Sequence, residues 1–135
     1  TERFWLPDSF ITSDFMLHRM NSVIANLTVY PENMMKNLNL TGGLVFSQRV
    51  LLELPLKGVS REDAYRIVQR NAMKVWEEIQ QGKPTTNEKG ESLYLNHLLA
   101  DDELRVSLSE EAIRECFNYD YYTKNVDKIF ARVFK

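Results

Sequence analysis

Two histidines, one cysteine and a glycine pair are the groups in these 135 residues with obvious chemical potential. Their surroundings argue against most of it. His18 falls beside a stripe of apolar residues at helical spacing, where an imidazole more often packs or hydrogen-bonds than catalyses. His97 precedes Asp101 by four residues, a spacing that puts both on one helix face. Two residues do not make a metal site, and no His-Glu-x-x-His or paired-cysteine pattern is present. Cys116 lies between Glu115 and Phe117 with no convincing histidine partner. It reads as a buried, inert thiol rather than a nucleophile. Gly42-Gly43 sits in no Gly-x-Gly-x-x-Gly or Walker pattern, so it reads as a helix stop or hinge rather than a phosphate cradle. Acidic residues are plentiful, but no pair stands out as an acid and base. The residues alone describe a helical domain with no visible active site.

The elements that would position these groups are helices. The stretch from Pro7 to Leu27 has no internal glycine, and Phe10, Leu17, Met20, Ile24 and Leu27 repeat at helical spacing. Ile11, Met16 and Val23 widen the stripe, the pattern of a helix buried in a bundle. A helix of that length spans about 32 Å and needs neighbours on more than one side. Thr28 to Tyr30 reads as an extended link, and Pro31-Glu32 opens a short helix to about residue 39. Leu44 to Leu54 is apolar around most of its circumference and predicts a helix buried on several sides, ended or kinked by Pro55.

Ser60 with Asp63 forms an N-cap for a helix running to about Gln80. Ala64, Val68, Ala72, Val75 and Ile79 mark its inner face, with Ile67 and Trp76 beside them. Arg66, Arg70, Lys74, Glu77 and Glu78 mark a solvated face, and Glu62 to Arg66 is a favourable i,i+4 pair. The polar segment 82–92 predicts a mobile loop. Ser92 and Ser109 cap short helices, with Asp101 to Arg105 either continuing the first or forming a separate turn. Tyr121 to Phe134 predicts a terminal helix with Tyr122, Val126, Ile129, Phe130 and Val133 inward. Strand signals are weak, so the fold class is all-α.

Apolar residues at 44% and charged residues at 27% exclude a disordered chain. A net charge of −2 with no Lys/Arg block gives no electrostatic case for nucleic acid. No apolar run approaches the ~20 residues of a membrane helix, and no signal-peptide pattern opens the chain. One cysteine permits no internal disulfide, which fits a reducing, cytoplasmic setting. The Asn-Leu-Thr sequons at Asn26 and Asn39 are then accidental. The first residue is Thr rather than Met, which reads as a fragment or processed chain.

Five segments carry a resemblance. They are Glu-Arg-x-x-Leu-Pro-Asp at residues 2–8, Leu-Thr-Val-Tyr-Pro-Glu-Asn-Met at 27–34, and Gly-Leu-Val-Phe-Ser-Gln-Arg-Val-Leu-Leu at 43–52. Ser-Arg-Glu-Asp-Ala-Tyr-x-x-Val-Gln-Arg-x-Ala-Met follows at 60–73, then Cys-Phe-x-Tyr at 116–119 with Lys-Asn-Val-Asp-x-Ile-Phe at 124–130. In order and spacing the set resembles the C-terminal portion of adenylosuccinate lyases, within the fumarase/aspartase superfamily. The matches around Gln48-Arg49 and Gln69-Arg70 separate it from other superfamily members. Pro55 departs from the family pattern, and the 80–96 region looks longer than the common bacterial one.

The resemblance implies residues 1–42 as the end of a central helical bundle and 43–135 as a small all-helical C-terminal domain. It implies a lyase that eliminates fumarate from adenylosuccinate to give AMP, and from the succinylated aminoimidazole carboxamide ribotide of purine synthesis. No metal or organic cofactor is implied. The implied partners are a nucleotide substrate, the upstream part of the same chain, and further copies in a tetramer, with neither nucleic acid nor membrane. The family's catalytic histidine and serine loop have no counterpart here, so the chain alone is expected to be inactive. Glu2 and Arg3 match the end of a Ser-Ser-x-Glu-Arg segment that helps hold the nucleotide, without its serines. Arg3 is the expected substrate contact, with Glu2 orienting it. The alternative reading is a free-standing, non-enzymatic helical interaction module.

Overall fold

A computed structural model describes residues 2–134, all of whose regular elements are helical. The chain divides into two compact units between Asn33 and Met34.

The first unit is built on α1, Glu2–Ala25. The helix begins ahead of Pro7, a start the sequence allowed beside one at Pro7 itself. Glu2 lies in the first turn, where a carboxylate favours the positive end of the helix dipole. Proline is tolerated near that end, at the cost of one ladder donor. Pro7 has no N–H to give the Arg3 carbonyl four residues back. The C-terminal end is closed by Asn26, whose amide side chain donates to the Ser22 carbonyl at 2.8 Å while its backbone N–H donates to the same oxygen at 3.2 Å.

The apolar stripe lies open rather than buried. α1 has no buried residue, and Phe10 and Leu17 are 75% and 70% exposed. His18 is exposed too, and its backbone carbonyl accepts from Ser22 Oγ at 3.3 Å. A surface this apolar drives association in water. The 135-residue chain is therefore expected to sediment as an oligomer at high concentration. A strictly monomeric species across the concentration range would contradict this.

The second unit opens within α2, Pro31–Asn39, and turns at Gly42 and Gly43, both with positive φ. A 3-10 turn, Leu44–Phe46, leads into α3, Ser47–Leu56, so the predicted Leu44 start belongs to the tighter turn. Pro55 lies in the last turn of α3, which ends one residue later as Gly58 takes φ 87°. Ser60 caps α4, Arg61–Gln80, by accepting the Asp63 N–H at 3.0 Å. Ser92 caps α5, Leu93–Leu99. Asp101 starts a separate α6, Asp102–Ser107, and Ser109 caps α7, Glu110–Glu115.

One core joins these helices. Val50 and Leu54 of α3 meet Ala64, Ile67, Val68 and Val75 of α4, with Tyr94 and Leu98 of α5, Leu104, Leu108 and Ile113 beyond. Ala72 and Ile79 pack at its margin. Two expectations change. Val45 and Leu52 are 47% and 55% exposed, so α3 is buried on one side rather than several. The terminal helix is broken into α8, Asp120–Thr123, and α9, Val126–Val133, and the residues predicted to face inward are exposed, Ile129 at 58% and Val133 at 67%. The break follows Tyr121, which is held between the Arg49 guanidinium and the Lys124 ammonium, each 3.9 Å from the ring centroid. The Arg49 contact ties α8 to α3, and α9 has no buried residue.

Candidate functional site

Glu2 and Arg3 occupy the first turn of α1 rather than a segment ahead of it, and both are exposed. Successive helical residues diverge by about 100°, so the two side chains leave the helix in different directions. Arg3 carries a planar five-donor guanidinium, which suits an anion such as a phosphate or carboxylate. Further along α1, Trp5, Asp8, Ser9, Thr12 and Ser13 line a shallow groove. Sequence reasoning attended to the apolar stripe and passed over this polar side, although its residues recur at helical spacing.

The second unit keeps its titratable groups in structural pairs. His97 does not face Asp101. Its Nε2 lies 3.4 Å from Glu78 Oε2, an ion-pair distance without hydrogen-bond alignment. Asp101 is 9% exposed and accepts hydrogen bonds of 2.6 Å from Arg70 and from the Asn71 amide, and longer ones from the Glu103 and Leu104 N–H groups. Desolvation pushes the Asp101 carboxyl up. The hydrogen bonds from Asn71 and Arg70 outweigh it and hold the group below the ordinary carboxylate range.

Arg66 and Arg70 both donate to Glu103, tying α4 to α6. Arg66 takes Asp63 and Glu103 as partners, in place of the predicted Glu62. The face read as solvated is thus partly an inter-helix contact. Glu103 sits on the short α6, which the sequence left as either a continuation or a turn.

Cys116 is 2% exposed, and desolvation pushes its thiol up to about 11. It is the buried, unreactive thiol expected. Gly43 is closed on by Ser92, with no room for a phosphate at its α-carbon. Among the described residues no three His, Cys, Asp or Glu side chains cluster as metal ligands, and no helix is long and apolar enough to cross a membrane. None of these groups assembles into a nucleophile, a base or an acid beside a cavity.

A family model described as "Adenylosuccinate lyase C-terminus" matches residues 43–133. The adenylosuccinate lyase of Helicobacter pylori is 66% identical over 134 residues, covering 99% of this chain and 30% of its own length. That of Bacillus subtilis is 42% identical over 132 residues, and that of Thermotoga maritima 43% over 131, each match covering 28% of the relative. The chain thus spans about 30% of the length of the curated relatives it matches.

Proposed function

The chain belongs to the adenylosuccinate lyase C-terminus family, and on that premise we propose that it works as the closing portion of a lyase releasing fumarate from adenylosuccinate. The carrying observation is the 66% identity to a lyase of that name over 99% of the chain. The second reaction follows on the same reading, fumarate release from the succinylated aminoimidazole carboxamide ribotide. In such an elimination a base removes the proton next to a carboxylate while an acid protonates the departing nitrogen. The absence of any acid–base pair beside a cavity supports placing both groups in the part of the enzyme outside this chain. No metal or organic cofactor enters the chemistry.

Residues 1–42 would then close the central helical bundle, and residues 43–135 would form the small C-terminal domain. The exposed apolar surface of α1 supports this division, because its area calls for cover by upstream helices and by other copies in a cytoplasmic tetramer. The test is an assay of fumarate release by the full-length polypeptide and by the 135-residue chain. Turnover by the former alone is expected, and turnover by the shorter chain would place the catalytic groups within it.

Arg3 is the residue proposed to meet the nucleotide, with Glu2 beside it at the helix end. A charge-assisted contact of this kind contributes about 1.5–3 kcal/mol. Arg3→Ala in the full-length enzyme is therefore expected to raise the Michaelis constant or lower turnover by about tenfold or more. Unchanged kinetics would remove Arg3 from the site.

A further inference from the structure

The helix α4 carries apolar residues on two sides. One side, Ala64, Ile67, Val68 and Val75, lies in the core. The second lies open: Tyr65 is 57% exposed, Met73 51% and Trp76 44%. Gln69 falls between Tyr65 and Met73, so about three turns of helix, from Tyr65 to Trp76, pass on this side without a charge. The charged residues Arg66, Arg70, Lys74, Glu77 and Glu78 all fall on the remaining side.

The open side continues onto α3. Ser47, Gln48 and Leu51 of α3 and Tyr65, Val68, Gln69 and Ala72 of α4 line a groove between the two helices. Leu52, 55% exposed, extends its α3 wall. Small residues, Ser47 and Ala72, allow close approach of another backbone. Gln48 and Gln69 supply amide donors and acceptors at the rim. Tyr, Trp and Met without Lys, Glu or Asp is the composition of the centre of a lasting protein contact, not of a solvated surface.

We propose that this α3–α4 groove is the docking site for a helix from the part of the same lyase polypeptide that this chain does not span. The proposal rests on the reading of the chain as a portion of a longer lyase. Two observations select the occupant. The relatives are more than three times as long as the match, so most of the polypeptide lies outside it. A groove between two packed helices that carries no charge fits a third helix with an apolar, uncharged stripe, joined permanently rather than in a transient encounter.

Hydroxyl-radical footprinting of the unaltered full-length enzyme tests the cover, because Tyr65, Met73 and Trp76 are themselves readily oxidised. Oxidation at these three is expected to be slowed about tenfold relative to the urea-unfolded enzyme. Oxidation at the unfolded rate would overturn the proposal. Photo-crosslinking from benzoylphenylalanine at position 65 tests the occupant, with position 76 as the substitute site if the first protein does not fold. A product of monomer mass, joined to a residue outside this chain's span, is expected. A product of dimer mass would assign the groove to another copy and overturn the assignment made here. Fumarate release by the same preparation separates the two readings. An active enzyme with a freely oxidised groove defeats this inference alone. An inactive one with a protected groove defeats the proposed activity alone.

Discussion

Gly43→Ala is expected to lower folding stability by about 2–4 kcal/mol, more than any other glycine substitution in the chain. The backbone there has φ 91° and ψ 5°, a left-handed conformation that penalises a β-carbon by about 1 kcal/mol. Space adds the larger part. A β-carbon at Gly43 would stand 2.4 Å from Ser92 Oγ and 2.7 Å from Ser92 Cβ. Ser92 cannot step aside freely, because its Oγ caps α5 by accepting the Leu95 N–H, and Leu93 and Tyr94 N–H bond the Thr85 and Gly42 carbonyls at 2.9 Å. Losing that cap costs about 1 kcal/mol more. Gly58→Ala is the control, with φ 87° and no atom within 4 Å of its added carbon. Urea midpoints at equal protein concentration should fall well below the parent for Gly43→Ala and only slightly for Gly58→Ala. Equal midpoints would mean that Ser92 yields.

Asp101→Ala is expected to cost about 3 kcal/mol, since one carboxylate starts α6, fixes the buried Asn71 amide and neutralises Arg70. Asn71 is fully buried, and its Oδ1 already has no partner, so the network has no slack to absorb the loss. The pH dependence follows from the direction of the shift. Asp101 titrates lower in the folded chain than in the unfolded one, so its contribution is complete above the ordinary carboxylate value and disappears as pH falls through the folded value. Parent and variant should therefore differ most at neutral pH and converge in acid below about pH 4. Asp101→Asn keeps a capping oxygen and loses the charge, so it should fall between the two. A constant gap from pH 7 down to 2 would show that the charge of Asp101 contributes nothing.

These two residues mark where the sequence was and was not legible. Helix starts were visible because capping is local. Ser60, Ser92 and Ser109 each stand one residue ahead of a helix and bond an N–H within it. The all-α class followed from spacing alone, and so did most of the core side of α4, although Trp76, expected beside it, is 44% exposed. What spacing could not supply was partner choice between elements distant in sequence. The Asp101–Arg70 contact joins residues 31 apart, and nothing local marks it.

The terminal segment failed for a related reason. Val126, Ile129, Phe130 and Val133 keep helical spacing whether their partner is this core or another, and periodicity cannot tell which. Arg3 was found through a motif, and its placement in the first turn of α1 required the helix to run through Pro7. The polar side of α1 and the second apolar side of α4 were both legible as periodicity. Each was hidden by a stronger stripe on the same helix.

The 82–92 segment is anchored at its base rather than loose throughout. Thr86 and Ser92 are bridged, Leu93 N–H donates to the Thr85 carbonyl, and the Asn87 side chain accepts from the N–H groups of Lys89 and Glu91. Arg114 holds Glu91 from α7. The tip, Glu88-Lys89-Gly90, is exposed to solvent. Closing a longer loop on a fixed base costs only about 0.6 kcal/mol for each doubling of its length. The tip is therefore a place where lineages can add or remove residues, or an engineer can insert a tag or reporter, while the core receives the same two chain ends in the same register.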